Sequence, residues 1–242
     1  MKRVSKPLRD AGIGLLLIAT PAAFAGPVPG GETTAATPPV EHAAFHHLIF
    51  ANDDVAILNN RYPPGGDSGF HAHYRDLFYV VIQPAPSMGQ RMGQPLTAAP
   101  MVSAGTAGYS PVGAGPRVHR VVNGEQGALQ IIVIELRRAH SSGESVSPRE
   151  SAPQYVQIAE NPRMRAWRLI LEAGQSAPAI LQKGNGVRIV VRGGLLTTTS
   201  SGYPDQTLKL EAGDFAIQNG GATRALRNSG KEIIELVELE LK

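Results

Sequence analysis

The sequence predicts an all-β protein built from two tandem copies of one β unit, and three observations support this. Short apolar runs alternate with Gly, Pro, Asn and Asp along the 242-residue chain, which is typical of strands joined by turns. No segment has a long amphipathic helical period. The two halves of the chain also align with each other. With 42 % hydrophobic residues, each copy can form a normal core, and we expect the copies to pack face to face.

The predicted strands are the apolar runs, taken in chain order. They comprise residues 48–51, 55–62, 77–83 and 129–136 in the first half, and 165–171, 187–191, 208–210, 215–218 and 233–241 in the second.

The internal repeat is visible at both ends of the two copies. Asn52 aligns with Asn161, and continuing without a gap places Gly65 on Gly174. Asn123 aligns with Asn228, and the Glu-Leu pairs at 135–136 and 240–241 then coincide. The two copies should therefore share one topology.

The N-terminus has the features of a secretory signal peptide. Four basic residues precede a short apolar run and an Ala-rich site, which predicts residues 1–25 as the signal peptide, cut after Ala25. The apolar run is too short for a stable membrane span, so we expect a secreted or periplasmic protein. Cleavage removes four basic side chains and one acidic one, so the net charge falls from +3 to zero. The precursor's basicity therefore gives no reason to expect nucleic-acid binding.

Composition divides the remaining chain. Residues 26–44 are predicted as a flexible leader, 45–140 as the first β unit, 141–152 as a Ser- and Pro-containing linker, and 153–242 as the second unit. The chain has no cysteine, which excludes disulfides, thiolate metal sites and a cysteine nucleophile.

Three histidines have the spacing of a metal site. His71 and His73 are separated by one residue, so in a strand both side chains lie on the same face. His119, followed four residues later by Asn123, can add a third imidazole from a remote strand. Imidazole is the commonest metal ligand in proteins, and we therefore predict a metal site.

The two motifs resemble those of the cupin superfamily. The first is Gly-x5-His-x-His from Gly65 to His73, and the second is Gly-x5-Pro-x-Gly followed by His-x3-Asn, from Gly105 to Asn123. The resemblance covers roughly residues 45 to 241. It implies a bicupin: two double-stranded β-helix (jelly-roll) barrels, with a metal site in the first and a degenerate second barrel.

The first motif departs from the family pattern because its glutamate is missing. Leu77, which shares the inward parity of His71 and His73, occupies the place expected for the carboxylate. Asp76 has the opposite parity, so it could be a fourth ligand only if a bulge at residue 74 or 75 shifted the register. The resemblance thus carries over three ligands, His71, His73 and His119.

The second copy lacks all three histidines. The ungapped alignment places Ile180 and Gln182 at the positions of His71 and His73, and Arg224 at that of His119. A pair formed by Gln182 and Arg224 could bind a small anion, but a polar pair inside a barrel is more often a structural hydrogen bond, which we favour.

Other residues near the motifs are candidates for ligand contacts. Arg75 and Arg117 could bind a substrate carboxylate or enolate, and Tyr79 could line the pocket. Arginine is more often a solvated surface residue, however, and tyrosine in a strand is more often a packing residue. Three histidines precede the predicted strands, and we expect them to be solvent-exposed at the start of the first strand: His42, His46 and His47.

Two functions are compatible with these residues. One is a metal-dependent enzyme, oxygenase-like or isomerase-like, for a small carbonyl or hydroxyl compound, since a three-histidine Fe(II) centre resembles those of some cupin dioxygenases. The other is a non-catalytic cupin of the cell envelope that binds a metal or small ligand. The donor set suits a divalent Fe, Mn, Ni, Cu or Zn ion without choosing among them. Cupins often form homodimers, so the resemblance makes a homodimer one option and leaves the oligomeric state open.

Overall fold

The computed structural model describes residues 37–138, 148–149 and 151–242. The predicted signal peptide, most of the predicted leader and linker, and His140 lie outside the described residues. No helix in the described part of the chain is long and apolar enough to cross a membrane.

The first barrel contains one short 3₁₀ helix and nine strands. The helix spans Val40–His42, and the strands are β1 (His46–Ala51), β2 (Val55–Tyr62), β3 (His71–His73), β4 (Leu77–Gln83), β5 (Ser87–Arg91), β6 (Thr97–Ala98), β7 (Ala107–Ser110), β8 (Arg117–Asn123) and β9 (Leu129–Leu136). They form a five-stranded sheet in the order β1-β2-β9-β4-β7 and a four-stranded sheet in the order β3-β8-β5-β6.

The second barrel repeats this arrangement. Its strands are β10 (Tyr155–Asn161), β11 (Met164–Leu171), β12 (Ser176–Leu181), β13 (Gly186–Arg192), β14 (Gly194–Ser200), β15 (Tyr203–Leu210), β16 (Phe215–Gln218), β17 (Thr223–Asn228) and β18 (Ile234–Leu241). The sheet orders, β10-β11-β18-β13-β16 and β12-β17-β14-β15, match those of the first barrel strand for strand. The fold is therefore all-β with two tandem jelly-roll barrels, as the sequence predicted.

Cross-strand pairing confirms the repeat at residue level. His71 pairs with His119 in the first barrel, and the aligned Ile180 pairs with Arg224 in the second. Gly65 and Gly174, which coincide in the alignment, both have left-handed backbone angles, with φ of 71° and 76°. Glycine adopts this conformation without the strain that a Cβ would impose.

The two five-stranded sheets pack against each other. Alternate side chains of β2, β4 and β9 point out of the first barrel into one hydrophobic cluster shared with the second, while the intervening side chains point inward. The rings of Phe50 and Phe215 meet across this interface at 5.5 Å between centroids. Polar contacts at its edge join Asn185 Nδ2 to Asp54 Oδ2 at 2.8 Å.

The end of the predicted leader belongs to the first barrel instead. The Ala72 N–H donates to Pro38 O at 2.9 Å, and Val40, only 2 % exposed, packs against Leu58, Leu77 and Val133. Val40 is held there because it covers the apolar interior of the barrel. Arg149, from the predicted linker, is likewise buried inside the second barrel.

Candidate metal centre

The fold brings the three predicted histidines together on one inner face. His71 and His73 come from β3, and His119 comes from the neighbouring β8, directly opposite His71. Ring centroids are 4.6 Å apart for His71 and His119, 5.1 Å for His73 and His119, and 5.2 Å for His71 and His73. One ring nitrogen of each histidine lies within 4.8 Å of the others, so the set can hold a single metal ion.

The ring nitrogens divide into an outer and an inner set. His71 Nδ1 lies 3.1 Å from Gly69 O, and His73 Nδ1 lies 3.3 Å from Glu135 Oε1. The inner nitrogens converge: His73 Nε2 is 3.1 Å from His119 Nε2, and His71 Nε2 is buried with no hydrogen-bond partner among the described residues. Buried polar atoms normally have partners, and metal-ligating histidines normally have their second nitrogen held by an oxygen. Both features fit a metal ion.

The electrostatics of the cluster favour neutral imidazoles. Burial lowers the pKa of His73 and of His119 well below the usual value, and neighbouring charged groups lower them further. Burial also lowers the pKa of His71. Neutral imidazole is the form that binds metal, so the rings are ready to ligate at neutral pH.

Neither residue near the expected glutamate position joins the histidines. Leu77 faces inward, as its parity predicted, and lines the cavity with an apolar side chain. Asp76 is outside the group of converging donors: it accepts from Tyr109 OH at 2.5 Å, from the Val112 N–H at 3.0 Å and from Arg163 Nη1 at 2.7 Å. These three contacts occupy both oxygens of the Asp76 carboxylate.

A carboxylate reaches the site from a different strand. Glu135 on β9 pairs directly with Leu77, is 3 % exposed, and contacts His73 Nδ1. Burial raises the pKa of Glu135 to about 7, although the nearby Arg75 opposes this shift. Sequence reasoning missed Glu135, yet a lone acid within the apolar run 129–136, at inward parity, was a usable signal.

Three further candidates have different positions. Arg75 is largely exposed, and its Nη1 lies 3.8 Å from Glu135 Oε2. Tyr79 and Arg117 line the cavity beside the histidines. Burial and the charge of Arg91 lower the pKa of Arg117 to about 10, so its guanidinium remains charged at neutral pH.

His46 belongs to the site, and the expectation that it lies exposed at the strand start was wrong. It is 6 % exposed, its ring lies 4.4 Å from that of His71, and its Nε2 is 3.2 Å from Tyr62 OH. The first strand starts at His46, earlier than the apolar run indicated, and pairing with Asn60 places His46 on the inner face. His42 and His47 are exposed, as expected.

His73 and His119 line a cavity of about 130 Å³ inside the first barrel, and the fully buried His71 lies next to both of them. Leu77, Val121, Ile131 and Val133 contribute apolar walls, and polar groups line the remainder. The interior hydrophobic residues of this barrel form two small clusters, and members of both line the cavity. A compact ligand could thus reach His73 and His119.

The interior of the second barrel contains a buried arginine with acidic partners. Arg149 stacks on Trp167, with its guanidinium carbon 3.9 Å from the ring centroid, and pairs with Glu238 and Glu240. Gln182 accepts from Arg149 Nη2 at 3.3 Å and donates to Gly184 O at 2.8 Å.

Gln182 therefore has the structural role favoured from the sequence. Arg224 instead donates to Gln218 and Asn219, so no shared anion site forms between Gln182 and Arg224.

The asparagine of the second motif is structural in both copies. Asn123 Nδ2 donates to Pro63 O and Gly127 O, each at 2.9 Å, and Asn228 Nδ2 donates to Leu171 O at 2.9 Å and Glu232 O at 2.7 Å. These bonds anchor the turn after each strand to a distant segment. The asparagine persists in the second copy because folding, unlike metal binding, needs it in both.

Comparison with known proteins supports the fold. No family model matches the chain, and no curated protein matches its sequence. Among solved structures, AerE from Microcystis aeruginosa is 11 % identical, with a TM-score of 0.60 over 81 % of this chain and 91 % of that one. Ylba from E. coli is 12 % identical, with a TM-score of 0.59 over 86 % and 88 %.

A variant of salicylate 1,2-dioxygenase from Pseudoaminobacter salicylatoxidans, solved in complex with gentisate, is also similar. It is 13 % identical, with a TM-score of 0.56 over 80 % of this chain and 70 % of that one. At these identities the likeness shows the fold alone, and that fold is the two-barrel cupin fold.

Proposed function

We propose that the first barrel binds one divalent transition metal through His71, His73 and His119, and that the chain is a metal-dependent enzyme for a small carbonyl or hydroxyl compound. The observation that carries this proposal is the convergence of inner nitrogens, above all the buried His71 Nε2, which has no hydrogen-bond partner among the described residues. The fold is shared with a dioxygenase solved in complex with gentisate, which supports a small-molecule ligand and oxygenase-type chemistry over the isomerase type.

The chain's own residues have distinct parts in this proposal. A bound ion would supply Lewis acidity or a template for a chelating compound beside dioxygen, and Fe, Mn, Ni, Cu and Zn all suit three imidazoles. Glu135 holds the outer nitrogen of His73 and thereby fixes the ring. The apolar cavity walls exclude bulk water from the ligand.

Elemental analysis of the purified protein tests the metal site. We expect about one transition-metal ion per wild-type chain, and its loss in His71→Ala and in His119→Ala. His42→Ala, which removes an exposed histidine outside the cluster, should retain the metal. Equal metal content in all four proteins would refute the site.

Oxygen uptake then tests catalysis. Metal-loaded wild-type protein is assayed against catechol, diketone and flavonol compounds, with His71→Ala as the blank. A second candidate, a non-catalytic metal- or ligand-binding protein, is favoured by the apolar Leu77 at the position expected for the carboxylate. Retained metal without turnover of any compound would support that candidate.

The proposal includes export. The basic and apolar N-terminal residues are typical of a signal peptide, and cleavage after Ala25 would leave the mature chain with no net charge. N-terminal sequencing of the protein from the periplasmic or secreted fraction should begin at Gly26. An intact Met1 in that fraction would contradict this part of the proposal.

A further inference from the structure

Two arginines lie at the outer end of the cavity. Arg91 on β5 pairs with His119, and Arg117 on β8 pairs with His73, so both share the inner face of the histidines. Both line the cavity, and both also line a second pocket formed with Pro111 and Pro116. The two pockets meet at these arginines, which therefore flank the passage towards the histidines.

Neither arginine of this pair forms an ion pair with an acid in the described part of the chain. No carboxylate among the described residues lies within 4.0 Å of either guanidinium. Arg117 is half-buried, donates through Nη1 to Ser110 Oγ, and has a buried Nε with no partner in the described part of the chain. The nearby acid Glu135 is already in contact with His73 and Arg75.

Two other buried or half-buried arginines of the described chain have acidic partners. Arg149 is 3 % exposed and pairs with Glu238 and Glu240, while Arg163 pairs with Asp76. Arg117 is half-buried, and removing a guanidinium from water without a counter-charge is costly. The exposed Arg91 adds a second positive charge beside the cavity, so the two arginines form an anion-binding arrangement. Guanidinium groups match carboxylates in shape and can bind them with two hydrogen bonds.

We propose that the ligand of the first barrel is a small organic anion, whose carboxylate or enolate oxygens bind Arg117 and Arg91 while the rest of the molecule enters the cavity towards the histidines. The apolar side chains of Leu77, Val121 and Val133 suit a compact hydrocarbon or ring. This inference names the substrate class of the proposed enzyme and in that sense rests on the proposed function. Anion binding itself needs no metal and can be measured separately.

Isothermal titration with acetate, benzoate and benzamide tests the proposal. Benzoate and benzamide differ in charge but little in shape, and acetate lacks the ring. We expect benzoate to bind wild type at least tenfold more tightly than benzamide, and Arg117→Gln to lower the benzoate affinity at least tenfold. Arg91→Gln should act in the same direction but less strongly, because Arg91 is exposed.

Arg120→Gln is the matched control. Arg120 lies on the same strand as Arg117 but on its other face, where it pairs with Asp67 at 3.2 Å. This variant loses the same charge and should leave benzoate affinity unchanged. Raised salt should weaken benzoate binding to wild type and to Arg120→Gln more than to Arg117→Gln.

Metal content measured on the same samples separates the two proposals. Suppose that the wild type contains metal, but acetate and benzoate bind the wild type no more tightly than they bind Arg117→Gln. The anion inference is then wrong, and the metal site stands. If wild type holds no metal, the proposed function fails, and the titrations on that metal-free protein still decide the anion site. Equal affinity for benzoate and benzamide would overturn the anion site in either case.

Discussion

At the scale of single residues, the contact between Glu135 and His73 fixes the orientation of one of the three histidine rings. The carboxylate comes from β9 and reaches His73 Nδ1 at 3.3 Å, so it directs His73 Nε2 towards the other histidines. In metal sites, a carboxylate behind a ligating histidine fixes its tautomer and raises its basicity. Glu135 is therefore a positioning residue for the proposed metal.

Replacing Glu135 should weaken metal binding without removing it. We expect Glu135→Gln to lower the affinity for Zn(II) or Co(II) about 10- to 100-fold, since an amide accepts the hydrogen bond but carries no charge. Competition with a chromophoric chelator measures the affinity. The exposed Glu125→Gln is the control, and an effect of equal size in both variants would contradict the positioning role.

His46 and Tyr62 form a second residue-scale pair. Tyr62 is 1 % exposed, and its hydroxyl contacts His46 Nε2, whose other nitrogen Nδ1 is 2.8 Å from Ala44 O. His46→Leu should destabilise the fold by about 1–3 kcal/mol, because it removes the imidazole that contacts the buried Tyr62 hydroxyl. Urea unfolding measures this loss. In a Tyr62→Phe background the same substitution should cost clearly less, and an unchanged cost would refute the pairing.

At the scale of secondary-structure elements, burial explains which strands could be predicted. Eight of the nine apolar runs fall on strands of the two five-stranded sheets, and only residues 208–210 fall on a four-stranded sheet. The five-stranded sheets are covered on both faces, so most of their strands are nearly continuous apolar runs. Strands such as β5, β8 and β14 have a solvent-facing side and mixed polarity, and the run criterion missed them.

Two glutamates on the inner face of β18, Glu238 and Glu240, carry negative charge inside the second barrel. Burial alone would raise the pKa of Glu238, but Arg188 and Arg149 outweigh it and lower the pKa to about 2. A carboxylate with a lowered pKa stabilises the fold above its unfolded value near 4.5, and this contribution is lost as the pH falls towards 2.

Glu238→Gln should expose this dependence. At pH 6 we expect the variant to be about 3–5 kcal/mol less stable than wild type, because two buried guanidinium groups lose a counter-charge. The difference should narrow below pH 4.5, because Glu238 of the unfolded wild type then takes up a proton while Glu238 of the folded protein stays ionised. Urea unfolding from pH 6 to pH 2.5 measures it, with the exposed Glu232→Gln as the control. A constant difference across this range would show that Glu238 has no lowered pKa.

At the scale of the whole molecule, the two barrels share one hydrophobic core. The largest buried cluster combines outward-facing residues of β2, β4 and β9 with residues of the second barrel. Such a shared core predicts that the barrels unfold together in one transition.

The substitution Ile134→Ala tests whether the two barrels unfold together. Ile134 lies on the outer face of β9, is fully buried, and belongs to the shared cluster. Its truncation should cost about 2–5 kcal/mol. Trp167, the single tryptophan of the chain, lies in the second barrel. Unfolding followed by Trp167 fluorescence should show the full decrease in the free energy of unfolding. A Trp167 transition unchanged from wild type would show independent barrels, and the half-exposed Leu195→Ala gives the baseline.

The sequence by itself determined the all-β class, the duplication and the three histidines, because turn residues, apolar runs and motif spacing are local properties of the chain. Only the tertiary structure decided which side chains complete the site. Glu135, His46 and Arg91 are remote from the two histidine motifs, and cross-strand pairing brings them to the inner face. Arg149 likewise enters the second barrel from a segment that composition marked as linker. Register and burial depend on the pairing of distant strands, which no local pattern specifies.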